Sequence, residues 1–353
     1  MFIINPLIKQ IVYAAGNMLY SHLLKPERYP YSMDVTQPAI LSVIIPTKNR
    51  PYLLVRALQS VVKQTYRHFE VCVVDNNTDE QNSLQVKQTV AEFELQYADI
   101  NWIYIHSNKK FASGARNDGM AATIGNLIFF LDDDDELLAD SLSIRVDEML
   151  ADPELALLYC AGYSKIYPYP FKMYRYYHYN KKLHTEKLMM MSCSSIAINR
   201  SIFKENDLYF DEAQSRMDDY DLCRRVIELD LKVKSIPGPL VMINLHPDTR
   251  ISSHKLVDYT FKDVLIERWG ESAADTVYHY AEGVYIWRLC FGTADQPYKE
   301  IIAGLRRDFN REPTPSFKFK YALAYFSPKL FLALYHIGVA ISQTRKNRLA
   351  RKL

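Results

Sequence analysis

The chain is predicted to be an α/β protein with a mostly parallel sheet flanked by helices, and two patterns in its sequence support this. Short β-branched runs alternate with helical segments between Leu41 and Leu131, which is typical of right-handed βαβ units. The run from Leu127 to Leu131 is apolar without alternation, as expected of a strand buried on both faces. With 353 residues, 48% of them hydrophobic, the chain can bury a large core.

Four strands alternate with three helices in this first part of the chain. The strands are predicted at Leu41 to Ile45, Phe69 to Val74, Ile100 to Ile105 and Leu127 to Leu131, and the helices at 51–62, 81–95 and 112–123. Ligand crevices of such sheets lie at the carboxyl ends of the strands. We therefore expect the polar loops 47–50, 75–78 and 132–135 to line one crevice.

Four consecutive carboxylates, Asp132 to Asp135, follow the last of these strands. Four like charges at the edge of a core are costly unless a cation neutralises them. Hard oxygen ligands suit Mg²⁺ or Mn²⁺, which can hold a diphosphate. The alternative is a solvated acidic loop in which Asp135 caps a helix that starts near Glu136. The position directly after a buried strand favours the metal, with Asp132 to Asp134 as its ligands.

The pattern is looser after Ala151. A tyrosine-rich segment at 159–179 fits sugar stacking and a half-buried sheet equally well. Further predicted elements are a strand at 195–198, a short helix after Asn199, a helix that begins near Asp218, and two strands, 233–236 and 240–245, on either side of Pro237-Gly238-Pro239. A long helical region is expected at 255–291.

Both ends of the chain carry amphipathic or apolar segments. Residues 1–24 have helical spacing, which fits packing on the same domain better than a membrane-surface helix. The apolar segment 321–341 is interrupted by Pro328, so a clean membrane span is not expected. The basic tail 345–353 favours peripheral contact with an anionic membrane, although a helix that closes the core fits almost as well. The predicted domains are 1–38, 39–252 (with halves 39–150 and 151–252) and 253–353.

Overall composition narrows the class of protein. The formal net charge is +2, which argues against a nucleic-acid partner. Five dispersed cysteines without metal spacing predict free thiols in a reducing compartment. The first residues lack the features of a signal peptide. We therefore expect a cytoplasmic protein that contacts a membrane at most peripherally.

Five motifs, in this order, resemble those of the family-2 glycosyltransferases of the GT-A fold. They are S-V-I-I-P-T-K-N-R from Ser42, V-V-D-N-N-T from Val73, A-R-N-D-G from Ala115, F-L-D-D-D-D from Phe130 and M-D-D-Y-D-L from Met217. Each motif is weak alone, but five in the right order are specific. The resemblance covers roughly residues 41–252 and implies a GT-A, Rossmann-like sheet with helical extensions at both ends.

The resemblance also implies an activity. A family member of this kind would move a single sugar, with inversion, from a nucleotide diphosphate sugar to a glycan or lipid-linked acceptor in cell-surface polysaccharide or lipopolysaccharide synthesis. A UDP-sugar is the favoured donor, although Asn76 stands where several uridine-binding members have a second Asp. A nucleotidyltransferase is the alternative among enzymes, but Pro46 to Asn49 contains no glycine. A non-catalytic sugar- or nucleotide-binding scaffold is the alternative outside them, and the intact acidic motifs argue against it.

Roles for individual residues follow from the resemblance. Asp219 would be the general base, with Asp218 beside it, and Asp134 the direct metal ligand, with Mn²⁺ or Mg²⁺ as the ion. Asp132 and Asp133 would hold metal, ribose or water. The remaining implied contacts to the nucleotide-sugar are Pro46, Thr47, Lys48, Asn49, Arg50, Asp75, Asn76 and Arg116, with His246 as a metal or phosphate ligand and Arg250 as a phosphate clamp.

Other functions of these residues remain open at this point. Asp218 and Asp219 also suit the positive end of a helix dipole. Arg116 could pair with an acid instead of a phosphate. His246 precedes a proline and could simply lie in a turn.

Overall fold

One sheet of nine strands organises the described residues between Leu41 and Leu245. The computed structural model describes residues 41–166, 172–186, 192–246, 260–290 and 297–350, so the predicted helix 1–24, the linker 25–38 and Arg250 lie outside the described residues. The strands are β1 Leu41–Thr47, β2 Phe69–Asp75, β3 Asn101–His106, β4 Leu127–Phe130, β5 Glu136–Leu137, β6 Leu155–Ile166, β7 Lys172–Arg175, β8 Ile196–Asn199 and β9 Lys232–Leu245.

The strand order across the sheet is β3-β2-β1-β4-β8-β6-β9-β5, with β7 paired to β6. The ladders β1–β2, β1–β4, β2–β3 and β6–β9 are parallel and contain most of the paired residues. The pairs that involve β5, β7 and β8 are antiparallel. The predicted α/β fold with a mostly parallel sheet is confirmed, and its antiparallel pairs lie in the second half.

Helices cover both faces of this sheet. They are α1 Pro51–Val62, α2 Glu80–Gln96, α3 Ala112–Ala122, α4 Ser141–Leu150, α5 Lys181–Glu186, α6 Arg200–Glu205 and α7 Asp218–Glu228. Successive residues of β1 point to opposite faces: Val43 and Ile45 pack in a core with α1, whereas Ile44 packs in a core with Ala115 of α3 and Leu222 of α7. Helices α1, α3 and α7 are therefore fixed against the strands that end at the candidate crevice.

Gly119 allows α3 to lie close to β1. A Cβ atom at this position would be 2.5 Å from Ile44 Cγ2 and 3.0 Å from Val74 Cγ2. Any side chain larger than hydrogen would push α3 away from the sheet. The glycine therefore fixes the height of α3, and with it the position of Arg116 one turn earlier.

Three sequence predictions for the sheet and its helices, between Leu41 and Leu245, differ from the observed elements. Strand β1 continues past Pro46 to Thr47, because its ladder with β4 already ends at Ile44 and the missing N–H of Pro46 breaks no bond there. The two strands predicted around Pro237-Gly238-Pro239 are one irregular strand, β9, which shifts register against β6 at this point. The helix expected near Glu136 is wrong, since Glu136–Leu137 forms β5 and the helix begins at Ser141.

A second compact unit begins at His246. Its described helices are α8 Thr260–Trp269, α9 Glu271–Cys290, α10 Tyr298–Phe309, α11 Pro315–Phe326 and α12 Pro328–Ala350. The single helical region predicted at 255–291 is two helices, α8 and α9, which are separated by Gly270 with φ of +64°. Within the described part of the chain, no helix combines the length and the apolar composition needed to span a membrane.

Candidate functional site

The loops after β1 and β4 meet at the carboxyl ends of the strands. Thr47 Oγ1 donates a hydrogen bond to Asp133 Oδ2 at 2.7 Å. The guanidinium of Arg50 lies 2.6 Å from Asp133 and 3.0 Å from Asp134. The loop after β2 joins them, because Asn76 N–H donates to the carbonyl of Thr47 at 2.9 Å. The three loops predicted to meet at the strand ends are therefore in contact, and a ligand crevice lined by all three stays a prediction.

The four aspartates after β4 do not all face the same way. Carboxylate oxygens of Asp132, Asp134 and Asp135 lie within 4.8 Å of one another, whereas Asp133 is buried against Thr47 and Arg50. Opposite ligands of an octahedral Mg²⁺ or Mn²⁺ are about 4 Å apart, so these three carboxylates are the group after β4 that could hold such an ion. The sequence predicts Asp132, Asp133 and Asp134 as the metal ligands, whereas the carboxylates that lie close together in the structure are those of Asp132, Asp134 and Asp135.

Asp135 has no role as a helix cap. Its carboxylate accepts hydrogen bonds from Ser194 Oγ at 2.7 Å and from the backbone N–H of Asn244 at 3.0 Å. The amide of Asn244 also donates to the carbonyl oxygen of Asp134 at 3.0 Å. The carboxyl end of the aspartate run is therefore held by β9, and the capping interpretation is wrong.

Burial makes Asp133 an unusual carboxylate. Desolvation raises its pKa to about 6, and the carboxylates of Asp134 and Asp132 act in the same direction. The Arg50 guanidinium and the Thr47 hydroxyl oppose this shift but do not cancel it. Asp133 therefore links the loops after β1 and β4, and it lies outside the group formed by the carboxylates of Asp132, Asp134 and Asp135.

Ser194 holds the aspartate run from the side of β8. Its Oγ accepts the backbone N–H of Asp132 at 3.1 Å while donating to Asp135. Arg145, which is fully buried, donates to the Ser194 carbonyl at 3.4 Å and lies 4.5 Å from the centroid of the Phe129 ring. Neither residue could be selected from the sequence, because a single serine and a single arginine form no motif. Their importance is visible only from their buried contacts with residues far away in the chain.

The buried contacts of Ser194 give the first prediction. Ser194→Ala removes a donor to Asp135 and an acceptor for Asp132 N–H, so we expect the free energy of unfolding to fall by about 1–3 kcal/mol. Ser195→Ala is the matched control, because Ser195 is equally buried but its Oγ donates to the local Ser192 carbonyl; its loss should be about 1 kcal/mol or less. Urea unfolding measures both values. Equal losses would contradict a specific role for Ser194.

Arg116 joins two acidic groups. Its Nη1 lies 2.5 Å from Asp218 Oδ2, and its Nη2 lies 2.7 Å from Asp132 Oδ1. The residue is 5% exposed, and its guanidinium is 5.4 Å from the centroid of the Phe210 ring. Of the two functions that the sequence left open, pairing with the acids is the one observed, and it connects the aspartate run to the start of α7.

Asp218 and Asp219 begin α7. The preceding residue, Met217, has φ of +56°, which is an uncommon, strained conformation for a residue with a side chain. Asp219 Oδ1 accepts a hydrogen bond from the backbone N–H of Tyr220 at 2.8 Å. Burial and the adjacent Asp218 carboxylate raise the pKa of Asp219 to about 6, against the pull of Arg116. A carboxylate with such a pKa is well matched to general-base chemistry near neutral pH.

Asp221, the third acid of this turn, is engaged elsewhere. Its carboxylate is fully buried and pairs with Arg225 one turn later at 3.0 Å. Asp221 therefore stabilises α7 locally, and Asp218 is the acid of this turn that Arg116 connects to the aspartate run.

The end of β2 forms a second part of the crevice. Asp75 accepts hydrogen bonds from Asn77 N–H at 2.9 Å and from the hydroxyl of Tyr104 at 2.7 Å. Burial raises the pKa of Asp75, but these bonds outweigh burial and the net shift is downward. The amide of Asn76 is occupied by the carbonyls of Ser107 and Lys109, at 3.0 and 2.6 Å. Asn76 therefore ties the ends of β2 and β3 together.

A cleft of about 430 Å³ opens beside these residues. It is lined by the loop after β2, by the start of α2 and by the end of β3, including His106 and Lys109. No motif selects His106 and Lys109, because β3 ends without an acidic or glycine-rich pattern. Their position at a strand end next to Asp75 is the only signal that could have found them.

The contacts of the other predicted site residues do not test whether they bind a ligand. Pro46 lies within β1, and Lys48 Nζ donates to the Lys110 carbonyl at 3.1 Å. Asn49 has φ of +59°, and its N–H donates to the Asn77 side chain. His246 is the first residue after β9. A phosphate or metal contact by any of them stays a prediction.

Comparisons with known proteins agree with the motifs. The model of glycosyl transferase family 2 matches residues 42–206. A GalNAc(5)-diNAcBac-PP-undecaprenol beta-1,3-glucosyltransferase of Campylobacter jejuni is 35% identical over 103 residues, which are 29% of this chain and 32% of that protein. A UDP-Glc:alpha-D-GlcNAc-diphosphoundecaprenol beta-1,3-glucosyltransferase of Escherichia coli is 31% identical over 113 residues, 31% of this chain and 41% of that protein. Each match thus spans less than half of the curated relative.

A solved structure shares the fold. The crystal structure of GalNAc-T7 with UDP, GalNAc and Mn²⁺ matches 92% of this chain and 67% of that one, with a TM-score of 0.52 and 17% identity. At this identity the likeness concerns the arrangement of the strands and helices.

Proposed function

We propose that the chain, whose residues 42–206 match the model of glycosyl transferase family 2, transfers a single sugar from a nucleotide diphosphate sugar to a lipid-linked or glycan acceptor, with inversion at the anomeric carbon. One observation carries this proposal. Arg116 pairs with Asp132 of the aspartate run and with Asp218, which begins α7 and precedes Asp219. A cation site and a carboxylate base, held in one crevice, are the two groups that a direct displacement needs.

The aspartate run would bind the diphosphate end of the donor. Asp132, Asp134 and Asp135 have the oxygen donors and the spacing to hold Mn²⁺ or Mg²⁺. When bound, such an ion would act as a Lewis acid that neutralises charge on the departing diphosphate. Arg50, which contacts Asp133 and Asp134, keeps the loops after β1 and β4 in register around this position.

Asp219 would act on the acceptor. Its carboxylate takes the proton of the acceptor hydroxyl while that oxygen forms a bond to the anomeric carbon and the bond from this carbon to the diphosphate oxygen breaks. The Asp218 carboxylate, paired with Arg116, is one of the causes of the raised pKa of Asp219. Because the base and the leaving group lie on opposite sides of the sugar, the reaction inverts the anomeric configuration.

A UDP-sugar is the donor that we propose, and the cleft next to Asp75 is the proposed nucleoside site. Asp75 is held ionised by its hydrogen bonds, and it lies beside the loop after β1. The Escherichia coli relative is named for a UDP-Glc donor. Asn76 is occupied by backbone carbonyls, so the base contacts would come from neighbouring groups of the cleft, such as His106.

The acceptor that we propose is a lipid diphosphate-linked sugar of cell-surface polysaccharide synthesis. Both curated relatives are named for undecaprenol-linked diphosphate acceptors. An enzyme that acts on such an acceptor works at the membrane surface, so we also propose a peripheral location on the cytoplasmic face. His246 and Arg250 stay proposed contacts to the diphosphate.

Nucleotide binding tests the donor site. Thermal unfolding of the full chain with UDP, GDP, CDP or dTDP, each with Mn²⁺, Mg²⁺ or EDTA, should show stabilisation by one nucleoside class only. At one hundred times its dissociation constant, the bound nucleotide should add about 2.7 kcal/mol. EDTA should remove this gain. Equal curves for every nucleotide and metal would contradict the donor site and the proposed transfer.

A further inference from the structure

Charge is distributed unevenly along the chain. The last 41 residues contain eight Lys and Arg and no Asp or Glu. The first 312 residues contain 35 Lys and Arg against 41 Asp and Glu. The eight basic residues are Lys318, Lys320, Lys329, Arg345, Lys346, Arg348, Arg351 and Lys352. A strongly basic end on a chain whose remainder is acidic points to a separate anionic partner for that end.

Helix α11 exposes large apolar side chains on the face opposite its packed one. Phe317, Tyr321 and Ala324 are buried, whereas Phe319 is 68% and Phe326 is 83% exposed. Phe319 and Phe326 are seven residues apart and so lie on the same side of the helix. Tyr325 (65% exposed) and the exposed Lys318 flank them. A soluble surface seldom carries this many exposed aromatic rings on one helix.

Helix α12 repeats this arrangement with aliphatic residues. Leu334 is 43% and Ile341 is 53% exposed, again seven residues apart. Arg345 and Arg348, both exposed, continue the same helical face towards the carboxyl end. The buried side of the helix is formed by Phe331, Leu332 and Ala333. The exposed side is therefore apolar first and basic afterwards.

We infer that these faces of α11 and α12, which we call the basic-aromatic surface (Phe319, Tyr325, Phe326, Leu334 and Ile341 with the adjacent Lys and Arg), dock on an anionic phospholipid bilayer. Aromatic and aliphatic side chains enter the region between headgroups and acyl chains, while lysine and arginine contact the anionic headgroups. Neither helix is suited to cross the bilayer, so the helices lie along its surface.

An acidic, apolar protein surface could also fit aromatic and basic side chains, but the bilayer explains more of the sequence. Headgroup contact requires no matching shape, and it suits basic residues that are scattered over 35 positions instead of clustered in one pocket. The biological reason for docking rests on the proposed function, since a lipid-linked acceptor would lie in the same membrane. The evidence for docking, exposure and charge, is independent of the active site.

Vesicle flotation of the full chain tests the inference. We expect the chain to float with phosphatidylcholine vesicles that contain phosphatidylglycerol, and to stay behind with pure phosphatidylcholine or at high salt. The double variant Phe319→Ser/Phe326→Ser should lower the partition coefficient at least about tenfold. Lys318→Glu/Arg345→Glu should do so at low salt only. Because all four residues are exposed, these variants should remain folded.

Matched controls come from α1 and α2. Leu84→Ser/Leu95→Ser removes two exposed leucines, and Lys63→Glu/Lys87→Glu reverses two exposed lysines; neither should change flotation. Equal flotation of all variants, or none of the parent chain, would overturn the inference. So would a dimer in sedimentation analysis that dissociates in Phe319→Ser/Phe326→Ser, because the surface would then join two copies. Nucleotide stabilisation of the same variants separates a failure here from a failure of the proposed activity.

Discussion

Asp219→Asn is expected to lower kcat of sugar transfer between about a hundredfold and ten thousandfold. The amide has the shape of the carboxylate but cannot take the proton of the acceptor hydroxyl. Stabilisation by the nucleotide and metal should be unchanged, because Asp219 is not among the carboxylates grouped after β4. Asp230→Asn, an exposed acid just beyond the other end of α7, is the control and should leave kcat unchanged.

The pH dependence gives the same experiment a second readout. The base works in its deprotonated form, and burial with Asp218 raises its pKa to about 6. In the parent enzyme kcat/KM should therefore fall as the pH drops through about 6, and the residual activity of Asp219→Asn should not show this decrease. A variant with the parent's kcat and the parent's pH profile would remove Asp219 from the mechanism.

Stability should move in the opposite direction to activity. A carboxyl group whose folded pKa lies above its usual 3.8 binds its proton more tightly in the folded state. Its contribution to the free energy of unfolding is thus largest at low pH and is lost as the pH rises from about 4 to about 6. Asn stays neutral throughout, so Asp219→Asn should unfold no more easily than the parent at pH 7. Loss of transfer in a folded variant would then reflect chemistry.

Asp134→Asn is expected to remove the metal-dependent part of nucleotide binding. The change keeps the size of the side chain and replaces one of the three grouped carboxylates with a weaker ligand for a hard divalent ion. The stabilisation of about 2.7 kcal/mol by nucleotide with metal should fall to the value measured in EDTA, and transfer should be lost with it. Thermal unfolding with and without the chelator measures the effect.

Asp140→Asn is the matched control for this prediction. Asp140 lies between β5 and α4, is exposed, and accepts a hydrogen bond from Thr65 Oγ1 at 3.1 Å. It loses the same charge at a similar place in the sequence, and it should keep the full response to EDTA. If Asp134→Asn kept that response as well, the carboxylates after β4 would not be the metal ligands.

The first half of the sheet could be predicted from sequence because its signals are local. Strands β1 to β4 are short apolar runs, each bounded by polar loops, and the helix between β1 and β2 begins at a proline. Strand β6 is not specified by its own sequence, because its tyrosines fit a half-buried sheet and sugar stacking equally well; it is defined by pairing with β8 and β9. Strand β5 has only two residues and no pattern of its own.

The site was predictable to a similar degree. A run of four aspartates after a buried strand predicts a cation site, but the run itself does not say which carboxylates face the ion. That choice is made by Thr47 and Arg50, which hold Asp133, and by Ser194 and Asn244, which hold Asp135. These partners are 59 to 109 residues away for Asp135, and no periodicity in a single sequence reports contacts over such distances.

The dependence of the aspartate run on β9 sets an order of events during synthesis of the protein. Residues 41–130 can pair their four strands soon after they leave the ribosome, and Asp132 to Asp135 are then already made. The contacts from Asn244 to Asp134 and Asp135 form only once the chain has grown more than a hundred residues further. A nascent chain that ends before Lys232 already contains residues 42–206, the whole segment that the family model matches. It still lacks β9, and with it the contacts from Asn244 to the aspartate run. The capacity to bind the donor should arise late and abruptly, when β9 joins the sheet.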